Sequence, residues 1–207
     1  MRVLVCDDHS LFREGLRLLL EKLDARLQVT LAASAEEAIE FARDASFDLV
    51  LMDWHMEGGM GGAGALQALR ETAPLSIVVV LSGDRNAQLV RQAIDLGAAG
   101  FIPKDSPPAV LMQAVKTVAE GGVWLPSAGY ARPPARDVRD AFPTLTERQA
   151  DVLRAALRGS SNKLIARELG ISDGTVKTHL RAIYQELGTR NRTEAVYMAA
   201  EQGVRIS

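Results

Sequence analysis

A single cysteine, Cys6, among 207 residues rules out a disulfide within the chain. Lying inside an apolar run, it is most simply a buried and inert core thiol of a reducing cytoplasm. No apolar run approaches the ~20 residues that span a bilayer. The first residues also lack the basic start and long apolar core of a secretory signal. Together these absences predict a cytoplasmic protein with no membrane partner. The three histidines are too scattered for zinc-ligand spacing, which leaves His55 as a loop-exposed residue with no side-chain metal role. No internal repeat or low-complexity tract is present. Net charge is scarce as well: −2 overall, with a pI near 6.0. That balance argues against strong, unregulated DNA binding by a monomer.

The near-neutral total hides a split. Residues 1–122 carry 11 Lys and Arg against 17 Asp and Glu, whereas residues 144–207 carry 10 against 7. An acidic front and a basic back suggest a metal or signalling site joined to a nucleic-acid reader. The length suits a domain of about 120 residues plus a smaller one. We place the first domain at 1–122, a linker at 123–143 and the second domain at 144–207. Pro126, Gly129, Pro133, Pro134 and Pro143 mark the linker. Trp124 is expected to pack as an anchor at its start.

The front domain alternates between two periodicities. Short apolar runs at Val3–Cys6, Leu27–Leu31, Phe47–Met52, Ser76–Leu81 and Ala99–Ile102 are separated by helical patterns. In the first helix Leu11, Leu16, Leu19, Leu20 and Leu23 recur at helical spacing, and Ser34 with Glu37 caps the second. Five βα units with short connections predict an α/β fold, a doubly wound sheet of five parallel strands. In such sheets ligands bind beyond the carboxyl ends of the strands. Two strands there end in acids, on Asp7-Asp8 and on Asp53. Three carboxylates brought together are costly without a cation, and their hard oxygens suit Mg²⁺. Ser82 and Lys104 arrive from the fourth and fifth strands. A metal, a lysine and a hydroxyl around an acid can stabilise a transferring phosphoryl group, and a carboxylate can be the nucleophile that accepts it. Asp53, alone at a central strand end, is the best candidate.

Asp7-Asp8, Asp53, Met56, Ser82 and Phe101–Lys104 resemble, in order and spacing across residues 1–122, the receiver domain of two-component response regulators, a flavodoxin-like (CheY-like) fold. The resemblance implies that Asp53 accepts phosphate from a sensor histidine kinase. It implies that Asp7 and Asp8 help bind Mg²⁺ with Asp53 and the backbone carbonyl of His55. Ser82 and Phe101 would form the switch pair, and Lys104 would contact the phosphoryl group. Two departures stand out. Glu57 follows Met56 where the family usually has proline, and five glycines fall within residues 57–64. Pro103 precedes Lys104, where the family more often places proline after the lysine. The permissive loop predicts weaker or slower ordering on phosphorylation, and it motivates the alternative of a phosphorylation-independent regulator with a partner-binding receiver. A Mg²⁺-dependent phosphatase resembling the haloacid dehalogenases would want an acid two residues after Asp53, where this chain has His55. The chain is therefore not expected to be an enzyme.

The back domain shows four helical patterns. Thr146 and Gln149 open the first with a capping box, Gly159 ends it, and Asn162–Leu169 is the second. Gly170-Ile171 turns into a third helix capped by Ser172 and running through Leu187. Asn191 with Glu194 starts the last. Two helices joined by a short glycine-containing turn make a helix-turn-helix. In the third helix Lys177, Thr178 and Arg181 share one side, with Val176, Leu180 and Ile183 toward the core. Basic and short polar side chains so placed can reach bases and phosphates. Asn162 and Thr175 can donate to phosphates, and His179 is divided between phosphate contact and partial packing. The blocks SNKLIA, ISDGTVKTHL and RNRTEA resemble the LuxR-type DNA-binding domain of NarL/FixJ-type regulators, over about residues 143–203. This all-α resemblance implies DNA contact by Asn162, Lys163, Thr175, Lys177, Thr178, His179 and Arg181. It also implies control of transcription, with RNA polymerase as a further partner, and a homodimer when active. Val196, Met198 and Ala199 would be split between core and dimer interface.

Overall fold

The computed structural model describes residues 1–126 and 137–204, and its contacts divide the chain after Ala119 into two compact units. Gly129, Pro133 and Pro134 of the expected linker lie outside the described residues.

In the first unit β1 (Arg2–Cys6), β2 (Gln28–Ala32), β3 (Leu49–Asp53), β4 (Ile77–Ser82) and β5 (Gly100–Pro103) alternate with α1 (Ser10–Leu23), α2 (Ala35–Asp44), α3 (Gly62–Thr72), α4 (Ala87–Asp95) and α5 (Pro108–Ala119). All strand pairs are parallel, in the order β2-β1-β3-β4-β5. The expected strands all form, displaced by no more than two residues at either end. All five residues of the central β3 are buried. Helices on both faces of the sheet explain why its sequence is a continuous apolar run and not an alternating one. Val78, Val79, Val80 and Leu81 of β4 are likewise buried, each contributing roughly 2 kcal/mol of hydrophobic free energy.

α1 shows where periodicity misleads. Leu16 and Leu20 face the core, but Leu11 is 87% exposed. The inward stripe passes through Phe12, four residues before Leu16, so Leu11 points about 100° away from it. Ser34 accepts from the Glu37 N–H and starts α2 as expected.

In the second unit α6 (Val138–Ala141), α7 (Glu147–Leu157), α8 (Asn162–Leu169), α9 (Asp173–Leu187) and α10 (Arg192–Glu201) follow one another. Thr146 and Gln149 make the full capping box on α7. Gly170, at φ 64°, ends α8 in the left-handed conformation that favours glycine. Ser172 and Asn191 cap α9 and α10.

The core draws on Leu145, Val152, Leu153, Ile165, Val176, Leu180, Ile183 and Val196. It also draws on Val138 and Phe142, while Val123 and Leu125 pack against it. Val123, Leu125, Val138 and Phe142, which the sequence reading placed in the linker, thus pack with this unit. Asp137 caps the short α6, and Arg154 of α7 grips the same carboxylate at 2.7 Å. Trp124 is half-buried. Val196 and Ala199, expected to be shared with a dimer interface, lie in the core, and Met198 is half-buried against it. Among the described residues, no helix is long and apolar enough to cross a membrane.

Candidate functional site

The strand register assembles the acid site. Cys6 of β1 pairs with Met52 of β3, so Asp7, the next residue, comes level with Asp53. Asp53 in turn lies beside Leu81, one residue before Ser82. Asp7, Asp8 and Asp53 converge with His9 so that one ligand atom from each falls within 4.8 Å of the others. His9 was given no role in the sequence reading, yet the structure brings it into this group. The turn after β1 carries it into the group, with its Nδ1 2.7 Å from Asp8 Oδ1 and 3.4 Å from Asp7 Oδ1. Three consecutive side chains, Asp7-Asp8-His9, were the available signal.

Asp7 and Asp53 are almost wholly buried. Lys104 Nζ sits 2.8 Å from Asp7 Oδ2 and 2.7 Å from Asp53 Oδ2. Apart from the lysine, neither oxygen meets a hydrogen-bond donor among the described residues. Burial pushes the Asp53 carboxyl above its ordinary value and the Asp7 charge adds to this, while Lys104 pulls the other way. Burial alone would lower the Lys104 ammonium, but the two carboxylates outweigh it and raise its pKa. The lysine also lies over the Phe12 ring, 4.9 Å from its centre. Its own N–H continues the sheet ladder to the Ser82 carbonyl at 2.8 Å. Pro103, last in the edge strand β5, thus leaves the lysine's placement intact.

Ser82 and Phe101 are fully buried on neighbouring strands. The Ser82 hydroxyl accepts from the Asp84 N–H at 3.1 Å and lies 3.4 Å from His55 Nδ1. His55 is exposed, as expected, and its backbone N–H donates to Asp53 Oδ1 at 3.2 Å. The glycine-rich loop is anchored at two points. Glu57 N–H donates to Asp8 Oδ2 at 2.8 Å, and Met60 N–H donates to Glu36 Oε1 at 2.9 Å. Burial would raise the Asp8 carboxyl, but the Glu57 N–H and His9 hold it below its usual value. Gly62 is required there: a Cβ would come within 2.4 Å of the Trp54 carbonyl and 2.6 Å of its ring. Cys6 is buried as expected, and burial together with the nearby Asp7 charge pushes its thiol up to about 12.

Such a cluster can do two things chemically. Three carboxylates whose buried oxygens have few donors form a fitting donor set for a hard divalent cation. A lysine and a hydroxyl beside them can receive the charge of a phosphoryl group.

In the helical unit, α9 packs Val176, Leu180 and Ile183 inward and exposes Lys177, Thr178 and Arg181. Asn162, Lys177 and Arg181 line one groove with Arg190, Tyr184, Gln185 and Thr189. Lys163 is exposed outside that lining, and His179 is half-buried. Thr175 is engaged in the α9 cap, its hydroxyl 2.8 Å from Ser172 Oγ. The sequence reading gave no place to Arg190, which lines this groove, or to Arg192, which donates to Asn162 Oδ1, although both stand in the RNRTEA block.

Residues 3–116 match the response regulator receiver domain family, and residues 143–199 match the luxR family of bacterial regulatory proteins. The nitrate/nitrite response regulator protein NarP of Escherichia coli (strain K12) is 35% identical over 205 residues, covering 97% of this chain and 95% of that protein. A glycerol metabolism activator of Pseudomonas putida is 35% identical, over 97% of this chain and 95% of that protein. Among solved structures, a LuxR family DNA-binding response regulator from Silicibacter pomeroyi superposes with a TM-score of 0.56 at 35% identity, covering 62% of this chain and 99% of that one. This family is one of transcriptional response regulators, a non-enzymatic class. The chain therefore belongs to the DNA-binding response regulators, in which a receiver domain is joined to a luxR-type helix-turn-helix domain to control transcription.

Proposed function

We propose that Asp53 is the phosphoacceptor of this regulator and that a sensor histidine kinase is the donor. The observation that carries the reading is the sharing of Lys104 between Asp7 and Asp53 at the strand ends. An Asp53 oxygen forms the new O–P bond as the P–N bond of a phosphohistidine breaks, and the electron pair leaves with the imidazole. Lys104 then exchanges the Asp53 carboxylate for a phosphoryl oxygen, and the Ser82 hydroxyl donates to another, with Phe101 moving as its switch partner. Asp7, Asp8, Asp53 and the His55 carbonyl would hold Mg²⁺. The ion would supply positive charge to the oxygens of the transferring group.

In the second unit, Lys177 and Arg181 would contact DNA from α9, with Asn162, Lys163, Thr175, Thr178 and His179 around them. Phosphorylation would shift the population toward a homodimer on paired half-sites in the cytoplasm, with RNA polymerase as the downstream partner. The two hydrogen bonds that anchor the glycine-rich loop favour this switched regulator over one whose receiver has lost its response.

Intact mass and sedimentation after incubation with Mg²⁺ and a small phosphodonor test the reading. One phosphoryl group on wild type, none on Asp53→Asn, and a shift from monomer to dimer are expected. Absence of an adduct on wild type would favour a phosphorylation-independent regulator.

A further inference from the structure

Arg192, the first residue of α10, turns back into its own unit. Its Nη2 donates to the Ala156 carbonyl at 3.1 Å and the Ser160 carbonyl at 2.5 Å. Its Nη1 donates to the Gly121 carbonyl at 3.2 Å and to Asn162 Oδ1 at 3.4 Å. Ala156 and Ser160 belong to the end of α7 and the turn beyond it, where the helix dipole leaves carbonyls partly negative, and the Ala156 carbonyl also accepts from the Gly159 N–H at 3.0 Å. The guanidinium is thus fixed by backbone before it meets Asn162. Burial lowers its pKa, but an arginine stays charged throughout the working range.

We infer that Arg192 is a positioning residue for DNA binding, which orients Asn162 so that its amide N–H₂ is presented to the phosphate backbone. A guanidinium carries donors only, so the Asn162 atom it meets must be the oxygen. Both N–H donors of Asn162 are then left for another acceptor. Asn162 lines the groove beside Lys177 and Arg181, where the nearest acceptor on bound DNA would be a phosphate. The 3.4 Å contact is the longest of the four, and it sets the amide's orientation more than it adds stability. A lysine at this place supplies one point charge and lacks the planar fork of donors that meets these four acceptors. The inference rests on the reading that this groove faces DNA.

The test is fluorescence anisotropy of the full-length protein on a labelled duplex of arbitrary sequence at low salt. Such a duplex suffices because phosphate contacts are sequence-independent. Asn162→Ala and Arg192→Lys should each weaken binding roughly fivefold, and the double variant no more than either alone. Asn162→Asp decides the matter even if Arg192→Lys folds poorly. It still accepts from Arg192 but offers the phosphate a carboxylate, so it should bind more weakly than Asn162→Ala. Losses that multiply in the double variant, or an Asn162→Asp protein that binds like wild type, overturn the inference. Lys177→Ala, measured alongside, separates two failures. If it weakens binding and Asn162→Ala does not, the positioning role alone falls; if both are silent, the reading of the groove falls with it.

Discussion

Asp7 and Asp53 are buried at the strand ends and share one lysine. Along α9, Lys177 is 66% exposed and pairs with Asp173, one turn away at 2.8 Å. The first arrangement is interdependent, because removing one member leaves the others buried and uncompensated. The second is a set of nearly independent, screened charges, each worth little to stability. One region is therefore suited to having two states, and the other to graded contact with a polyanion.

Lys104→Met should be the most damaging to stability, costing about 3 kcal/mol because two buried carboxylates lose their cation. Urea unfolding should show the loss, and added Mg²⁺ should restore part of it. Gly62→Ala should cost about 2 kcal/mol by forcing a Cβ against the Trp54 carbonyl. Its urea midpoint should fall while DNA affinity per folded molecule is retained.

In the helical unit, Arg181→Ala should leave thermal stability within about 0.5 kcal/mol. The slope of log affinity against log salt should shrink by about 0.9, the share of one phosphate contact. A normal slope would mean that Arg181 does not meet the backbone.

The pH response should sharpen the same contrast. The Cys6 thiol is raised from 9.0 to about 12 in the folded protein. Its contribution is therefore fully present below pH 9, where both states keep the proton, and declines as pH rises toward 12 and the unfolded thiol ionises first. At pH 10 wild type should have lost about 1 kcal/mol more than Cys6→Ala, read from urea midpoints on both proteins. Equal losses would place the thiol in a more polar setting.

Much of this was legible in the sequence for a physical reason. Buried parallel strands must be continuous apolar runs, and β1 and β3 end in acids at the edge where such sheets bind ligands. Caps at Ser34, Thr146, Ser172 and Asn191 were legible because each satisfies a backbone donor a fixed three residues away. The parts that escaped depend on contacts between elements that no period encodes. Arg192 gathers carbonyl oxygens, one of them the Asn162 side-chain amide, from residues 30 to 71 positions away. Glu36 on α2 reaches Met60 N–H, which ties down a loop whose glycines alone suggested freedom. α6 has four residues and sits among proline and arginine, so no periodicity could mark it, and its place is set by Val138 in the core.

In the proposed function the acid cluster governs the basic groove. This control is tested most directly by measuring DNA affinity of one preparation before and after stoichiometric phosphorylation, with Asp53→Asn treated identically. Wild type should bind tighter by about tenfold, the effect of a coupling energy near 1.4 kcal/mol, and Asp53→Asn should not change. Full phosphorylation of Asp53 with unchanged affinity would contradict it.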